Sequence, residues 1–398
     1  IPLKTRAGQI ISFRNAREKG EDAKQMMRRN LRDTATSDIR HYLSDAVTDP
    51  GFGARLLAFW SDHFTVAANG PHLRLLVPDF VDAAIRPHIA GSFPDMLRAA
   101  TLHPAMLIYL NQVQSVGPNS RAGRRREKGL NENLAREVFE LHTLGVDGGY
   151  TQSDVRAFAE LLTGLSVDKA GFRFRRALSE PGPIEVLGSR YGARSVALGD
   201  IEEALNDIAL HPDTALHIAR KLIWHFVGIS DLALETRVAE AFAASRGDLA
   251  QTYAALLDDD RAWQPVFMKA KLPFEFIVSA LRAAGAGARE INDLSDTELR
   301  KGMAGALQLM GQPLFTPPGP DGWDEAPEAW ITPPGLAARI EWATRFAERI
   351  ADLRDPREFL VTTLADAASP ILKKSVAGAQ NRAEGIALTL ASPEFNRR

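Results

Sequence analysis

The sequence predicts a mainly α protein: a large, multi-helix, bundle-like body with one small β-hairpin insert near residues 166–200. Three observations carry that expectation. Apolar residues recur three and four apart over most of the chain, the period of one helix face. Helix start signals recur, with His-Pro at 103–104 and again at 211–212. Alternation with a period of two is confined to "GFRFR" and "PIEVLG", on either side of the turn-prone "SEPGP".

Taken in order, "DIRHYLSDAV" and "GARLLAFWSDHF" are helix-patterned, with Leu56, Trp60 and His63 on one face. In "LHPAMLIYL" and "LHPDTALHIARKLIWHF", Pro104 and Pro212 suit a first helical turn, where a missing N–H costs nothing. "RAGRRREKG" at 121–129 is a basic loop. Residues 311–335 are rich in Pro and Gly around Trp323 and Trp330, and an irregular segment of that length in a compact protein tends to be functional or to wrap the body. The chain therefore reads as an N-terminal helical region (1–165), the insert (166–200) and a C-terminal helical region (201–398). A single large domain fits the same pattern.

Composition narrows the function classes. Of 398 residues, 45% are hydrophobic and 25% charged, which excludes a disordered or fibrous chain. A net charge of -2 argues against nucleic acid as the main partner. Without cysteine there is no disulfide, thiolate nucleophile or Cys-bound zinc. No apolar run approaches the ~18 residues of a membrane span. The chain starts at Ile1, which leaves room for an upstream piece such as an export signal, so a periplasmic or a cytoplasmic location fits equally. The sequence contains no P-loop, G-x-S-x-G, H-E-x-x-H, G-x-G-x-x-G or EF-hand loop.

The stretch "LNENLAREVFELHTLGV" at 130–146 holds the chemistry. At about 100° per residue, Leu134, Val138, Leu141 and Gly145 form an apolar stripe, while Glu132, Asn133, Arg136, Glu137 and Glu140 share an arc of roughly 140°. Arg136 stands four residues from both Glu132 and Glu140 and can bridge them. A solvated, salt-bridged face explains this as well as a site does. The expectation is that Arg136 is the hub of a desolvated network, so that removing it costs about 3–5 kcal/mol rather than the ~0.3–0.5 kcal/mol of an exposed pair. Gly145 can end this helix, and Thr151 with Asp154 can form a capping box for the next. His142 projects about 160° from Glu140, and Glu137-x-x-Glu140 replaces the Glu-x-x-His of di-iron bundles. His63 and His225 on apolar faces read first as hydrogen-bonded core residues.

"FWSDHF" at 59, "IRPHIAGSFPDML" at 85, "HPAML" at 103, "SVGPNSRAGRRREKGLNENLAREVFELHTLGVDGGYTQSDV" at 115, "HPDTALHIARKLIWHF" at 211, "GQPLFTPPGPDGW" at 311 and "LTLASPEFNRR" at the end resemble the bacterial domain of unknown function 1800 family (DUF 1800). The resemblance implies a mainly helical fold and many exported members. It also implies a neighbouring-gene partner similar to the alkaline phosphatase and sulfatase superfamily. It maps the family's polar block onto Asn131, Glu132, Asn133, Arg136, Glu137, Glu140 and His142, with His63 from "FW-x-x-HF". Many relatives read "H-E-P-G" where this chain has Ser179-Glu180-Pro181-Gly182, so a role for that histidine does not carry over.

The expectation is a ligand- or partner-binding protein: Arg136 orients Glu132 and Glu140, Glu137 holds a partner group, and the 121–128 loop meets an anionic ligand or neighbour. No cofactor or metal is expected. The rival is a metal-assisted or carboxylate-based hydrolase in which Glu137 and Glu140 act with His63. Its oxygen ligands would favour Mg, Ca or Mn.

Overall fold

The computed structural model describes residues 21–125, 129–168, 171–264 and 267–398; Ile1 and residues 126–128 of the basic run lie outside them. The chain is mainly α, and the expected β insert contains two antiparallel hairpins. Leu165–Asp168 pairs with Gly171–Phe174, and Ile184–Val186 with Ser189–Tyr191. Both are short, with strands of three or four residues. Among the described residues no helix is long and apolar enough to cross a membrane.

Two compact units interleave along the chain. One comprises residues 21–31, Arg55–Gln264 and Pro317–Trp323, the other Arg32–Ala54, Pro265–Thr316 and Asp324–Arg398. In the first, both His-Pro signals start helices, Pro104–Tyr109 and Pro212–Phe226. The histidine itself is the cap: Nδ1 of His103 accepts from Ala105 N at 3.1 Å, and Nδ1 of His211 from Asp213 N at 3.2 Å. Each ring thus satisfies one of the orphan donors of a helix start. The Gln152–Leu161 helix opens with the expected capping box of Thr151 and Asp154.

The second unit is built around Phe276, Ile277, Leu299, Leu307, Ala343, Phe359, Ile386 and Phe395, joined by Leu43 and Val47. Arg339 lies buried in it, donating to Asn396 Oδ1 at 3.0 Å and Lys271 O at 2.7 Å, so the "EFNRR" segment is fastened from inside.

Candidate functional site

The 130–146 stretch does not continue as one α-helix. Asn133–Glu137 is α, and Val138–His142 is a single π turn closed by Gly145 N donating to Phe139 O at 3.0 Å. A π turn takes in an extra residue, so the 100° wheel drifts across it. Phe139 and His142 are fully buried, and Leu141, expected on the apolar stripe, is only partly so. Phe139 stacks on Phe158 with ring centroids 4.9 Å apart.

His142 enters an aromatic core where His63 waits. The ring centroids of His63 and His142 are 6.0 Å apart, those of His63 and His217 6.4 Å. Trp60 packs edge-on to His63 at 5.1 Å and donates to Tyr253 Oη at 2.6 Å, which donates in turn to Ile89 O. His63 Nε2 donates to His142 O and His217 Nε2 to Leu141 O, each at 3.1 Å. Two of the orphan carbonyls at the end of the helix are thereby satisfied, and both tautomers are fixed with the proton on Nε2. Burial, with Lys221 nearby, pulls His142 down to about 3 and His217 to about 4, and holds His63 well below the ordinary imidazole range. All three are neutral at pH 7. Among the described residues no group of three or more His, Asp or Glu is arranged to hold a metal ion.

On its other face the same helix presents a polar network. Arg136 Nη1 donates to Glu140 Oε1 at 3.0 Å and Nη2 to Gln152 Oε1 at 2.9 Å, while Gln152 Nε2 donates to Glu132 Oε2 at 2.9 Å. Arg136 Nη2 also lies 3.5 Å from Glu132 Oε2. The network is half-open, with side-chain exposures of 38% for Arg136, 29% for Glu132 and 27% for Glu140. This falls short of the desolvated hub expected from the sequence and lies between that regime and an exposed pair. Arg136→Ala is therefore expected to lower unfolding free energy by about 1–2 kcal/mol, and Arg136→Lys to recover little of it, because only the guanidinium fork reaches Glu140 and Gln152 together. Denaturant titration checks both; a loss below about 0.5 kcal/mol would mark an ordinary solvated face.

Glu137 stands apart from that network. Its carboxylate makes no hydrogen bond or ion pair with any described residue, and burial, then Glu140 and Asp321, push it above the usual range against the pull of Arg136. Tyr109 is raised by burial, Glu137 and Asp321, and Tyr150 by burial and Glu140. Asn131 caps locally, its Oδ1 accepting from Asn133 N at 2.9 Å, and an open depression beside it is lined by Gln114, Gly129, Leu130, Asn131, Glu132 and Asn133.

Of the residues expected at the site, Glu132, Arg136, Glu137 and Glu140 lie together on one polar face. Asn131 and Asn133 edge it, and His63 and His142 lie in the core behind it. Sequence reading missed Tyr109, Gln152, His217, Lys221 and Asp321. It also missed Asp62, whose Oδ1 accepts from Trp323 N at 3.0 Å; a Cβ on Gly322, at φ +84°, would meet that carboxylate at 2.7 Å. The signal lay in motifs read separately, since "FWSDHF", "PPGPDGW" and "HPDTALHIARK" all supply residues here. At the divergent Ser179-Glu180 position, Glu180 accepts from Asn119 N at 2.9 Å and Asn119 Nδ2 at 2.6 Å. It anchors the "GPNS" loop.

Fold and site together define a helical protein with a neutral histidine core behind a carboxylate-rich face. The chain belongs to the family described as protein of unknown function (DUF1800), which it matches over residues 4–397. No curated protein and no solved structure matches it.

Proposed function

We propose that this is a binding protein whose cleft takes a small cationic or hydrogen-bond-donating ligand, with Glu137 as the central acceptor. The observation that supports this is the half-buried Glu137 carboxylate, without a described partner while Glu132 and Glu140 are engaged. Four carboxylates, Glu132, Glu137, Glu140 and Asp321, face one arginine, an imbalance that a bound cation would offset. Arg136 keeps Glu132 and Glu140 in place, so the cleft is shaped before the ligand arrives.

The raised Glu137 also favours a second reading, a carboxylate-based hydrolase in which Glu137 serves as acid and base, alone or with a hard cation such as Mg, Ca or Mn. Calorimetric titration with a short aliphatic diamine, and separately with Mg²⁺, Ca²⁺ and Mn²⁺, distinguishes the two. Glu137→Gln is expected to weaken diamine binding roughly tenfold to hundredfold, the worth of one charge-assisted contact, with little change in melting temperature. Elemental analysis of protein purified without an affinity metal is expected to show no transition metal. Near-stoichiometric Mn, Fe or Zn, or tight divalent binding without amine binding, would turn the assignment toward the enzyme.

A further inference from the structure

The basic run flagged in the sequence does not stand alone in the folded chain. Ala122 N donates to Ala177 O at 3.0 Å and Gly117 N to Leu178 O at 2.9 Å, which lays the 117–125 loop along the 175–178 corner. Gly182 N donates to Arg194 O at 3.2 Å, and Arg176 Nη2 to Ser195 Oγ at 2.6 Å, adding the 194–195 segment. Arg121, Arg124, Arg125, Arg175, Arg176 and Arg194 are all exposed on these three segments. None of the six forms an ion pair with a described residue. The nearby carboxylates are otherwise engaged: Glu180 holds Asn119, and Asp168 holds Arg173 at 2.8 Å.

We propose that this arginine face is an adsorption surface for an anionic phospholipid bilayer. Six uncompensated cations on a chain of net charge -2 are a segregated field, and such a field concentrates an opposite charge. Guanidinium forks match phosphate oxygens in pairs. The chemistry around them selects the kind of polyanion. Phe172 and Phe174 are only partly exposed and Tyr191 is buried, so no open ring is offered for stacking single-stranded bases. The face also lacks the exposed apolar centre of a specific protein interface. A sheet of anionic headgroups asks only for a dense outward array of cations.

The test is co-sedimentation of the full chain with vesicles of phosphatidylcholine containing phosphatidylglycerol, against vesicles of phosphatidylcholine alone. Binding to the anionic vesicles only is expected, falling as salt is raised. The triple variant Arg121→Ala, Arg124→Ala, Arg125→Ala is expected to partition about a hundredfold more weakly, roughly fivefold per arginine. The same positions changed to Lys are expected to stay within a few-fold of wild type, which separates charge from folding damage. Equal binding to both vesicles, no binding to either, or an unchanged triple variant overturns the proposal. So does tighter binding, at the same ionic strength, to a single-stranded oligonucleotide or to polyglutamate.

Discussion

Acidification from pH 7 to pH 5 is expected to lower the unfolding free energy by about 4 kcal/mol through His142 and His217, with His63 adding in the same direction. In the unfolded chain each imidazole titrates near 6.5. In the fold His142 sits at about 3, His217 at about 4 and His63 well below its ordinary value, because burial penalises the charged ring. The depressed groups are bases, so between the folded and unfolded values only the unfolded state takes up the protons. Their stabilising contribution is complete above about 6.5 and falls by about 1.4 kcal/mol per pH unit for each ring below it, until the folded value is reached. Glu137 is shifted the other way, so its protonation in the carboxylate range slightly favours the fold. Denaturant titrations across this range measure the slope, and His142→Phe is expected to remove about a third of it. A flat profile would mean that the rings titrate in the fold as they do in the unfolded chain.

Gly145→Ala is expected to lower stability by about 2–4 kcal/mol. Gly145 follows the π turn at φ +84°, and a Cβ there would lie 2.8 Å from His217 Nδ1. A left-handed alanine costs about 1 kcal/mol in itself. The ring cannot swing aside without giving up its bond to Leu141 O, so the overlap adds to that cost. Gly199, with open space around its Cβ position, is the control, and Gly199→Ala is expected to be neutral within about 0.5 kcal/mol. Thermal unfolding of the two variants side by side checks this. If His217→Ala in the Gly145→Ala background restores nothing, the collision is not with that ring.

What could be read from the sequence followed from how local its causes are. The capping box at Thr151, the helix starts after His103 and His211, and the strands around Phe172 and Val186 are each written within a few residues, and the structure contains them. That the histidines cap those helices went unread, since imidazole is an uncommon cap. The π turn went unread for another reason: "VFELH" has no residue that forbids an α-helix, and the extra residue is stabilised by His63 and His217, which arrive from distant helices to take up the carbonyls. With the turn hidden, His142 and Phe139 could not be placed in the core. Asp321 escaped because its role beside Glu137 and Tyr109 depends on where a Pro-rich loop returns, which no periodicity encodes.

The interleaving of the two units bears on how the molecule can be made and cut. Six segments alternate between them, so no single break in the chain releases either unit whole. A fragment ending at Gln264 would carry the histidine core but lack Pro317–Trp323, and with it the backbone donor to Asp62 and the carboxylate beside Glu137. On the ribosome the cleft would stay open on that side until those seven residues had emerged. Limited digestion should then yield nicked protein whose pieces remain associated rather than separable halves, and a shortened gene product should be judged by whether it keeps residue 323.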